Sequence, residues 1–191
     1  MRPWSYTIDE SRGIICKAIQ ILPKEVIIND TKREIFVGQA MKGKFLKLSP
    51  NERRPMTWYS DHDLTRIKIG LYDAEKYDYD FSGAVDISKI SYNEFIIHKF
   101  EPKPQILGFF KIIVKVMHDV YYIYLQEIEK NSVLIQIHNQ TDINIGLVQD
   151  MDLSDIEYRI PKIMANKNSV CPFAWAYPCG KKALIFRVNP K

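Results

Sequence analysis

Residues 29–39 read Asn29-Asp30-Thr31-Lys32-Arg33-Glu34-Ile35-Phe36-Val37-Gly38-Gln39. Residues 139–149 read Asn139-Gln140-Thr141-Asp142-Ile143-Asn144-Ile145-Gly146-Leu147-Val148-Gln149. The two stretches share Asn, Thr, Ile and Gln at matched positions, without a gap and 110 residues apart. Self-similarity of this kind is the sequence signature of structural units that repeat along a chain and stack on one another.

A second similarity lies further along each copy. Pro55 and Trp58 match Pro172 and Trp175, 117 residues apart, and an apolar strand begins nine residues after each Trp. The change in offset from 110 to 117 predicts a loop that is about seven residues longer in the second copy.

The offsets predict how the chain is divided. A weaker match relates residues 4–9 to residues 81–86, so we expect the tail of a preceding repeat at residues 1–10. A first complete repeat is expected at residues 11–100, and a second one, truncated at its C-terminal end, at residues 101–191. The second copy has 33 extra residues before its Asn, which we expect to form an additional hairpin.

The hydrophobic pattern has the period of β-strands. In residues 111–116, Ile112, Val114 and Val116 alternate with other side chains and so lie on one face of an extended segment. Roughly a dozen such runs, rich in β-branched and aromatic residues, are separated by polar or Pro/Gly residues. The pair His118-Asp119 is expected at a hairpin tip. The sequence therefore predicts an all-β protein of tandem antiparallel β-sandwich-like repeats.

Composition excludes several classes of protein. With 46% hydrophobic residues in 191, the chain can bury a large core. Lys and Arg number 27 against 23 Asp and Glu, and they are scattered, so we expect no nucleic-acid partner. No apolar segment approaches the ~20 residues that span a bilayer. Three cysteines without a Cys-x-x-Cys spacing favour a reducing compartment over a disulfide or zinc framework.

The residue patterns of catalysis are also missing. The segment Asp61-His62-Asp63 would point both carboxylates away from the imidazole if it is extended. His98, His118 and His138 stand alone, and no glycine cluster or nucleophile elbow is found. We therefore expect a non-enzymatic module without cofactor or bound metal.

Two interpretations are open for the repeated residues. Asn29 and Asn139 can each tie loop amides and carbonyls together, or they can contact a partner directly. The tryptophans can lie in the core or at a binding surface. Phe173, Trp175 and Tyr177 alternate along one segment, and together they could form an aromatic face that accepts prolines.

At these residues the sequence resembles the adaptor-binding domain of the vacuolar protein sorting-associated protein 13 family of bridge-like lipid-transfer proteins. The resemblance rests on Ile28-Asn29-Asp30-Thr31, on His138-Asn139-Gln140-Thr141 and on Cys171-Pro172-Phe173-Ala174-Trp175-Ala176-Tyr177-Pro178. It implies a string of related all-β repeats, each with a characteristic Asn. It also implies recruitment of the lipid-transfer protein to organelles, because in that family the domain binds short adaptor segments that contain Pro-x-Pro.

The expected function is therefore capture of proline-containing adaptor peptides of organelle membrane proteins, by strand addition to the second repeat. The expected contact residues are Phe173, Trp175 and Tyr177 on the aromatic face, with Ile143, Ile145 and Leu147 as a neighbouring edge. The expected location is cytoplasmic and peripheral at membrane contact sites, with membrane contact made through adaptors. A lipid-binding β-sandwich at a membrane surface is the main alternative, and a carbohydrate-binding sandwich is a third.

Overall fold

The computed structural model describes residues 2–8, 16–40, 43–56, 58, 65–73, 78–99, 105–151 and 161–188. Within these ranges the regular structure consists of β-strands and one 3-10 turn at Lys130–Ser132. The strands in chain order are β1 (Arg2–Ile8), β2 (Cys16–Leu22), β3 (Glu25–Asp30), β4 (Ile35–Gln39), β5 (Phe45–Leu48), β6 (Arg53–Pro55), β7 (Arg66–Asp73), β8 (Asp78–Phe81), β9 (Val85–Asp86), β10 (Ser91–Lys99), β11 (Gln105–Met117), β12 (Val120–Ile128), β13 (Ile135–Asn139), β14 (Ile145–Gln149), β15 (Ile163–Ala165), β16 (Ser169–Phe173) and β17 (Leu184–Val188). The predicted all-β class is confirmed.

The first repeat forms a sandwich of two five-stranded sheets. One sheet has the order β10-β11-β12-β3-β6, and the other has the order β5-β4-β7-β8 with β9 also pairing to β7. Ile27, Ile69 and Ile123 are among the residues with no solvent exposure in the core between the sheets. Alternate residues of each strand point inward, as the period-2 pattern predicts.

The second repeat has the same pairing scheme. β13 pairs with β16 as β3 pairs with β6, and β14 pairs with β15 and β17 as β4 pairs with β5 and β7. Asn51 and Asn168 adopt left-handed backbone angles, with φ of 61° and 50°, at the same turn of each copy. Asn tolerates this region better than most residues, so the turn is repeated along with the sheets.

One sheet serves two cores. Phe95 on β10 and Phe110 on β11 face the first core, whereas their neighbours Ile96 and Phe109 face the second core. Because successive side chains of a strand point to opposite faces, a sheet that is buried on both sides can join two units without a linker. The second repeat is therefore packed directly against the first.

The hairpin β11–β12 lies in a different unit from the expected one. Its tip at His118 and Asp119 has φ of 50° and 60°, the values of a tight type I′ turn, so the predicted tip is confirmed. However, β12 pairs in parallel with β3, and Ile112, Val114 and Leu125 lie in the first core. The extra hairpin thus completes the first sandwich, and this sheet extends across residue 100. The repeat boundaries at residues 10 and 100 remain a prediction from the sequence.

Candidate functional site

Asn29 holds the end of β3 to two neighbouring segments. Its Nδ2 donates toward the carbonyls of Arg33 (2.8 Å), Leu48 (3.1 Å) and Ser49 (3.0 Å). Its Oδ1 accepts from the amide (3.1 Å) and the hydroxyl (2.7 Å) of Thr31. The residue is fully buried, so both polar atoms of its side chain are engaged inside the repeat.

Asn139 repeats this arrangement. Its Nδ2 donates toward the carbonyls of Ile143 (2.8 Å), Ala165 (3.0 Å) and Asn166 (2.9 Å), and its Oδ1 accepts from the amide (3.1 Å) and the hydroxyl (2.7 Å) of Thr141. Corresponding distances in the two copies agree within 0.1 Å. An amide that is buried and fully engaged leaves no donor or acceptor for an external partner.

The predicted aromatic face is buried. Phe173 is 2% exposed and Tyr177 6%, and Phe173 packs edge-on against the half-buried Trp175 with ring centroids 5.0 Å apart. Their alternation reflects the inner side of the second repeat, whose core includes Phe173 and Tyr177, with Trp175 packed against it. In this structure Phe173 and Tyr177 therefore offer almost no surface to a peptide, and their contact with one stays a prediction.

The predicted edge is also misplaced. β14 is the central strand of its sheet, paired with β15 on one side and β17 on the other. Leu147 is completely buried, Ile145 is half-buried and Ile143 is exposed just before the strand begins. Because β14 is paired on both sides through Ile145–Leu147, it offers no main-chain groups to an added strand.

The segment around Trp175 joins the two repeats. The amide of Ile96 donates to the Trp175 carbonyl (3.2 Å), and the amide of Gly83 donates to the Ala176 carbonyl (2.9 Å). Gly83 is required by close packing, because a Cβ there would lie 2.6 Å from the Ala176 carbonyl oxygen and would clash with the Tyr177 ring. These contacts explain why Tyr177 is buried although it lies in a loop.

Gln149 fixes the same loop from the other side. It donates to the carbonyls of Tyr177 and Lys181, both at 3.0 Å, and its Oε1 accepts from the Tyr177 amide at 3.0 Å. In the sequence, Gln149 matches Gln39 of the first copy. The matched, buried glutamine was the signal that could have identified this clamp.

Lys182 lies on the exposed side of Trp175, with its Nζ 4.9 Å from the centroid of the indole ring. Desolvation lowers the pKa of Lys182 to about 8, and the nearby Cys179 opposes this shift. Burial raises the pKa of the Cys179 thiol, and it also raises that of Cys171. This end of the loop thus carries a lysine that loses its proton more easily than usual.

Among the strands that the structure describes, β17 pairs only with β14, so its other edge is open within this part of the chain. Ile185, Phe186 and Val188 on this strand are exposed, Phe186 by 59%. Phe186 corresponds to Ile69 of the first repeat. Phe186 lies opposite Leu147 on β14, Ile69 lies opposite Val37 on β4, and Leu147 and Val37 are matched positions of the two repeats. Ile69 is completely buried, so the second repeat exposes a position that the first one covers.

The direction of the main-chain groups on β17 follows from its pairing. The amide of Asp150 donates to the Ala183 carbonyl (2.8 Å), so residue 183 and alternate residues beyond it point their main-chain groups toward β14. Phe186 and Val188 consequently point theirs toward the open edge. In the first repeat the carbonyl of Ile69 accepts there from the Ser82 amide (2.8 Å).

No group of three or more His, Cys, Asp or Glu side chains that could hold a metal ion is found in the ranges given above. In the same ranges, no helix has the length and hydrophobicity to cross a membrane. The segment Asp61-His62-Asp63 lies outside the described residues.

Comparison with known families gives one match over most of the chain. No curated protein matches the chain. The family model of the adaptor binding domain of vacuolar-sorting associated protein 13 matches residues 7–182, which includes the first repeat and the second one through the aromatic segment around Trp175, and which ends just before β17. The chain therefore belongs to the family of vacuolar-sorting associated protein 13 adaptor binding domains.

Proposed function

We propose that this adaptor binding domain captures a short Pro-x-Pro segment as an added strand on the open edge of β17. Binding of this kind would recruit a lipid-transfer protein, in the cytoplasm, to organelle membranes that display such segments, without a catalytic step. The observation that carries the proposal is the open edge of β17, which combines outward main-chain groups with exposed apolar side chains.

The first repeat supplies a geometric precedent. There the outer edge of β7 is covered by antiparallel pairing with β8 and β9. β17 is the counterpart of β7, and a peptide in the same position would form main-chain hydrogen bonds with Phe186 and Val188. It would also cover apolar surface that is now exposed to water.

A Pro-x-Pro sequence suits this edge for a stereochemical reason. In an antiparallel pair, residues that exchange hydrogen bonds alternate with residues that do not. Proline has no N–H, so both prolines must take positions without hydrogen bonds, opposite Ile185 and Arg187, and the central residue then pairs with Phe186. The proline rings lie on the face of the exposed Ile185 and of the aliphatic stem of Arg187.

The main-chain part of the proposal can be tested in the peptide. We expect a Pro-x-Pro peptide to bind with a dissociation constant in the micromolar range, about −8 kcal/mol. Methylation of the central N–H removes the bond to the Phe186 carbonyl and should weaken binding more than tenfold. Replacing the central side chain by Ala should have a smaller effect, and replacing both prolines by Ala should weaken binding markedly.

The protein side needs a matched pair of surface variants. Ile185→Lys should weaken binding severalfold, whereas Ile90→Lys should not, because Ile90 is also an exposed isoleucine but lies just before β10, outside the sheet that contains β17. Isothermal titration calorimetry at two salt concentrations measures both variants. Unchanged affinity in Ile185→Lys, or equal binding of the N-methylated peptide, would refute the β17 site.

The alternative of direct membrane binding has one supporting observation. Arg187 lies on the same face of β17 as the exposed Ile185, a combination of positive charge and apolar surface that can contact acidic lipids. Sedimentation with acidic liposomes at low and physiological salt separates the two functions. Charge-driven lipid binding weakens strongly with salt, whereas peptide pairing by backbone and apolar contacts does not.

A further inference from the structure

The sheet β10-β11-β12-β3-β6 of the first repeat has an outer face that is unusually apolar. Its inner face directs Ile27, Ile112 and Ile123 into the first core, so the alternate residues of the same strands lie on the outer face. Residues that lie directly opposite one another share a face, so the strand register defines rows that cross the sheet. The outer face carries four rows: one of Ile96, Phe109 and Ile128; one of Glu94, Lys111, Gln126 and Asp30; one of Tyr92, Ile113, Tyr124, Ile28 and Arg53; and one of Lys115, Tyr122, Val26 and Pro55.

The first two rows are accounted for by the fold. Ile96 and Phe109 are buried in the core of the second repeat. In the second row, Glu94 accepts hydrogen bonds from the Tyr92 hydroxyl (2.7 Å) and from a main-chain amide of the second repeat (2.9 Å), and Asp30 accepts one from the Gln126 amide group. The carboxylates of this face are therefore engaged, and they lie on the side of the second repeat.

The third and fourth rows, which we call the tyrosine rows, combine apolar surface with positive charge. Tyr92 is 45% exposed, and Ile90, which directly precedes β10, is 73% exposed. The Lys115 Nζ lies 5.4 Å from the centroid of the Tyr124 ring, so this cation rests on an aromatic side chain. Neither Lys115 nor Arg53 forms an ion pair within the described part of the chain, and the tyrosine rows contain no carboxylate.

The packing of one repeat on the next leaves the tyrosine rows uncovered. The second repeat covers the row of Ile96 and Phe109, at the other end of the face. The effect of a preceding repeat can be seen in the second repeat, where His138 and Val170 pair as Ile28 and Arg53 do in the first. His138 and Val170 are exposed although the first repeat is in place, Val170 by 54%. Neither neighbour in a string of such repeats therefore occupies these positions.

We propose that the tyrosine rows, together with Ile90, contact the surface of a membrane that contains acidic lipids. Tyr and Lys side chains have an apolar body and a polar tip, which suits the boundary between headgroups and acyl chains. The cations Lys111, Lys115 and Arg53 complement the negative charge of such a surface. A peptide would find no free main-chain groups on a sheet face, whereas a membrane requires none.

This contact is separate from the peptide site proposed on β17. It lies on the first repeat, and it does not depend on a peptide being bound. Because both contacts are on one chain, a membrane that displays an adaptor segment would engage the two together, and each contact raises the effective concentration of the other. The domain would then select membranes that offer both an adaptor and acidic lipids.

Co-sedimentation of the full chain with vesicles tests the contact. The probe is a vesicle of about 70% phosphatidylcholine and about 30% phosphatidylserine, compared with pure phosphatidylcholine, at low and physiological salt. The wild type should partition onto the acidic vesicles at least about tenfold more strongly than onto the neutral ones, and physiological salt should weaken this binding.

Two variants with matched controls locate the contact. Lys115→Glu and Ile90→Ser should each lower the partition coefficient at least about fivefold, because they remove one basic residue and one exposed apolar side chain from the interface. Lys167→Glu makes the same charge change in an exposed turn of the second repeat, and Met164→Ser removes an exposed apolar side chain from the outer face of the sheet that contains β14. Both controls should stay within about twofold of the wild type.

Each other outcome overturns the proposal. A wild type that does not bind acidic vesicles, or a folded Lys115→Glu variant that binds like the wild type, excludes a membrane contact at the tyrosine rows. If Lys115→Glu does not fold, Arg53→Glu provides the same test. Loss of binding in Arg187→Glu alone would assign lipid contact to β17. A soluble poly-glutamate peptide that displaces the vesicles and binds the same residues would identify an acidic protein as the partner. Binding of the Pro-x-Pro peptide, measured without vesicles, should be unaffected by Lys115→Glu, so the two proposals fail independently.

Discussion

Replacing Asn139 by Ser tests whether the repeated Asn holds the fold or binds a partner. The Asn139 amide lies within 3.0 Å of three carbonyl oxygens, and its Oδ1 accepts two bonds from Thr141. Ser is shorter and carries one hydroxyl, so it cannot reach both sides of this network. Asn139 is 4% exposed, so water cannot readily replace the lost partners.

The expected cost follows from these bonds. Two Nδ2 hydrogens and two acceptor bonds are lost, each contributing about 0.5–1.5 kcal/mol net, and the Ser hydroxyl recovers about one of them. The three bonds that are lost net sum to about 1.5–4.5 kcal/mol, and they include the bond to the carbonyl of Ala165, a residue with no exposure. We expect the free energy of unfolding to fall by about 2–4 kcal/mol, which lowers the melting temperature by roughly 5–15 °C in a chain of this size.

Thermal unfolding followed by circular dichroism measures this change. Asn29→Ser should destabilise by a similar amount, because its network has the same geometry. Asn131→Ser is the control, since Asn131 is exposed in the 3-10 turn and should shift the melting temperature by little. An unchanged melting temperature in Asn139→Ser, combined with lost peptide binding, would contradict the structural role.

Asn139→Asp adds a pH dependence of known sign. A carboxylate oxygen would replace the Nδ2 donor and face the carbonyls of Ile143, Ala165 and Asn166, which raises the pKa of the Asp in the folded state. The folded state then binds more protons than the unfolded one above about pH 4, so stability falls as pH rises through that window. The variant should therefore approach wild-type stability at acidic pH and be least stable at neutral pH.

Two substitutions and one labelling experiment test the loop around Trp175 and its contact with the first repeat. Gly83→Ala should lower the free energy of unfolding by about 1–3 kcal/mol because its Cβ clashes with Tyr177, whereas Gly43→Ala, which meets no atom within 4 Å, should have little effect in the same thermal assay. Gln149→Ala removes three buried hydrogen bonds to the loop and should cost about 2–4 kcal/mol, with faster proteolysis in that loop as the local readout. Lys182, with its pKa lowered to about 8, should be half deprotonated at pH 8 and react with an amine-specific reagent faster than ordinary lysines, as peptide mapping would measure. Equal labelling of all lysines would contradict the lowered pKa.

The features that could be predicted from sequence are local ones. Alternation of apolar residues predicts strands because side chains of a strand point to opposite faces, and the tip at His118 and Asp119 interrupts two such runs. The match of Asn29 with Asn139 predicts a repeated unit because both sequences encode one turn and one strand pair. None of these patterns depends on a distant part of the chain.

The features that could not be predicted depend on distant partners. Nothing in residues 120–128 indicates that they pair in parallel with β3, which lies almost a hundred residues earlier. The alternation of Phe173, Trp175 and Tyr177 predicts a common face but not its environment. That face is buried because Gly83, in the other repeat, leaves room for Tyr177. A period-2 pattern therefore identifies a face without showing what covers it.

The matched prolines bear on how the repeats are assembled. Pro55 and Pro172 each occupy a position opposite a residue of the Asn-bearing strand, and because proline cannot donate, Val26 and Gln136 direct their main-chain groups away from it. Each repeat is thereby built with one edge of that strand directed outward. In the first repeat β12 occupies this edge and contributes Ile123 and Leu125 to the core. The prolines thus determine which alternate residues of β3 and β13 direct their N–H and C=O groups outward. Any strand that joins either edge must form its hydrogen bonds with those residues.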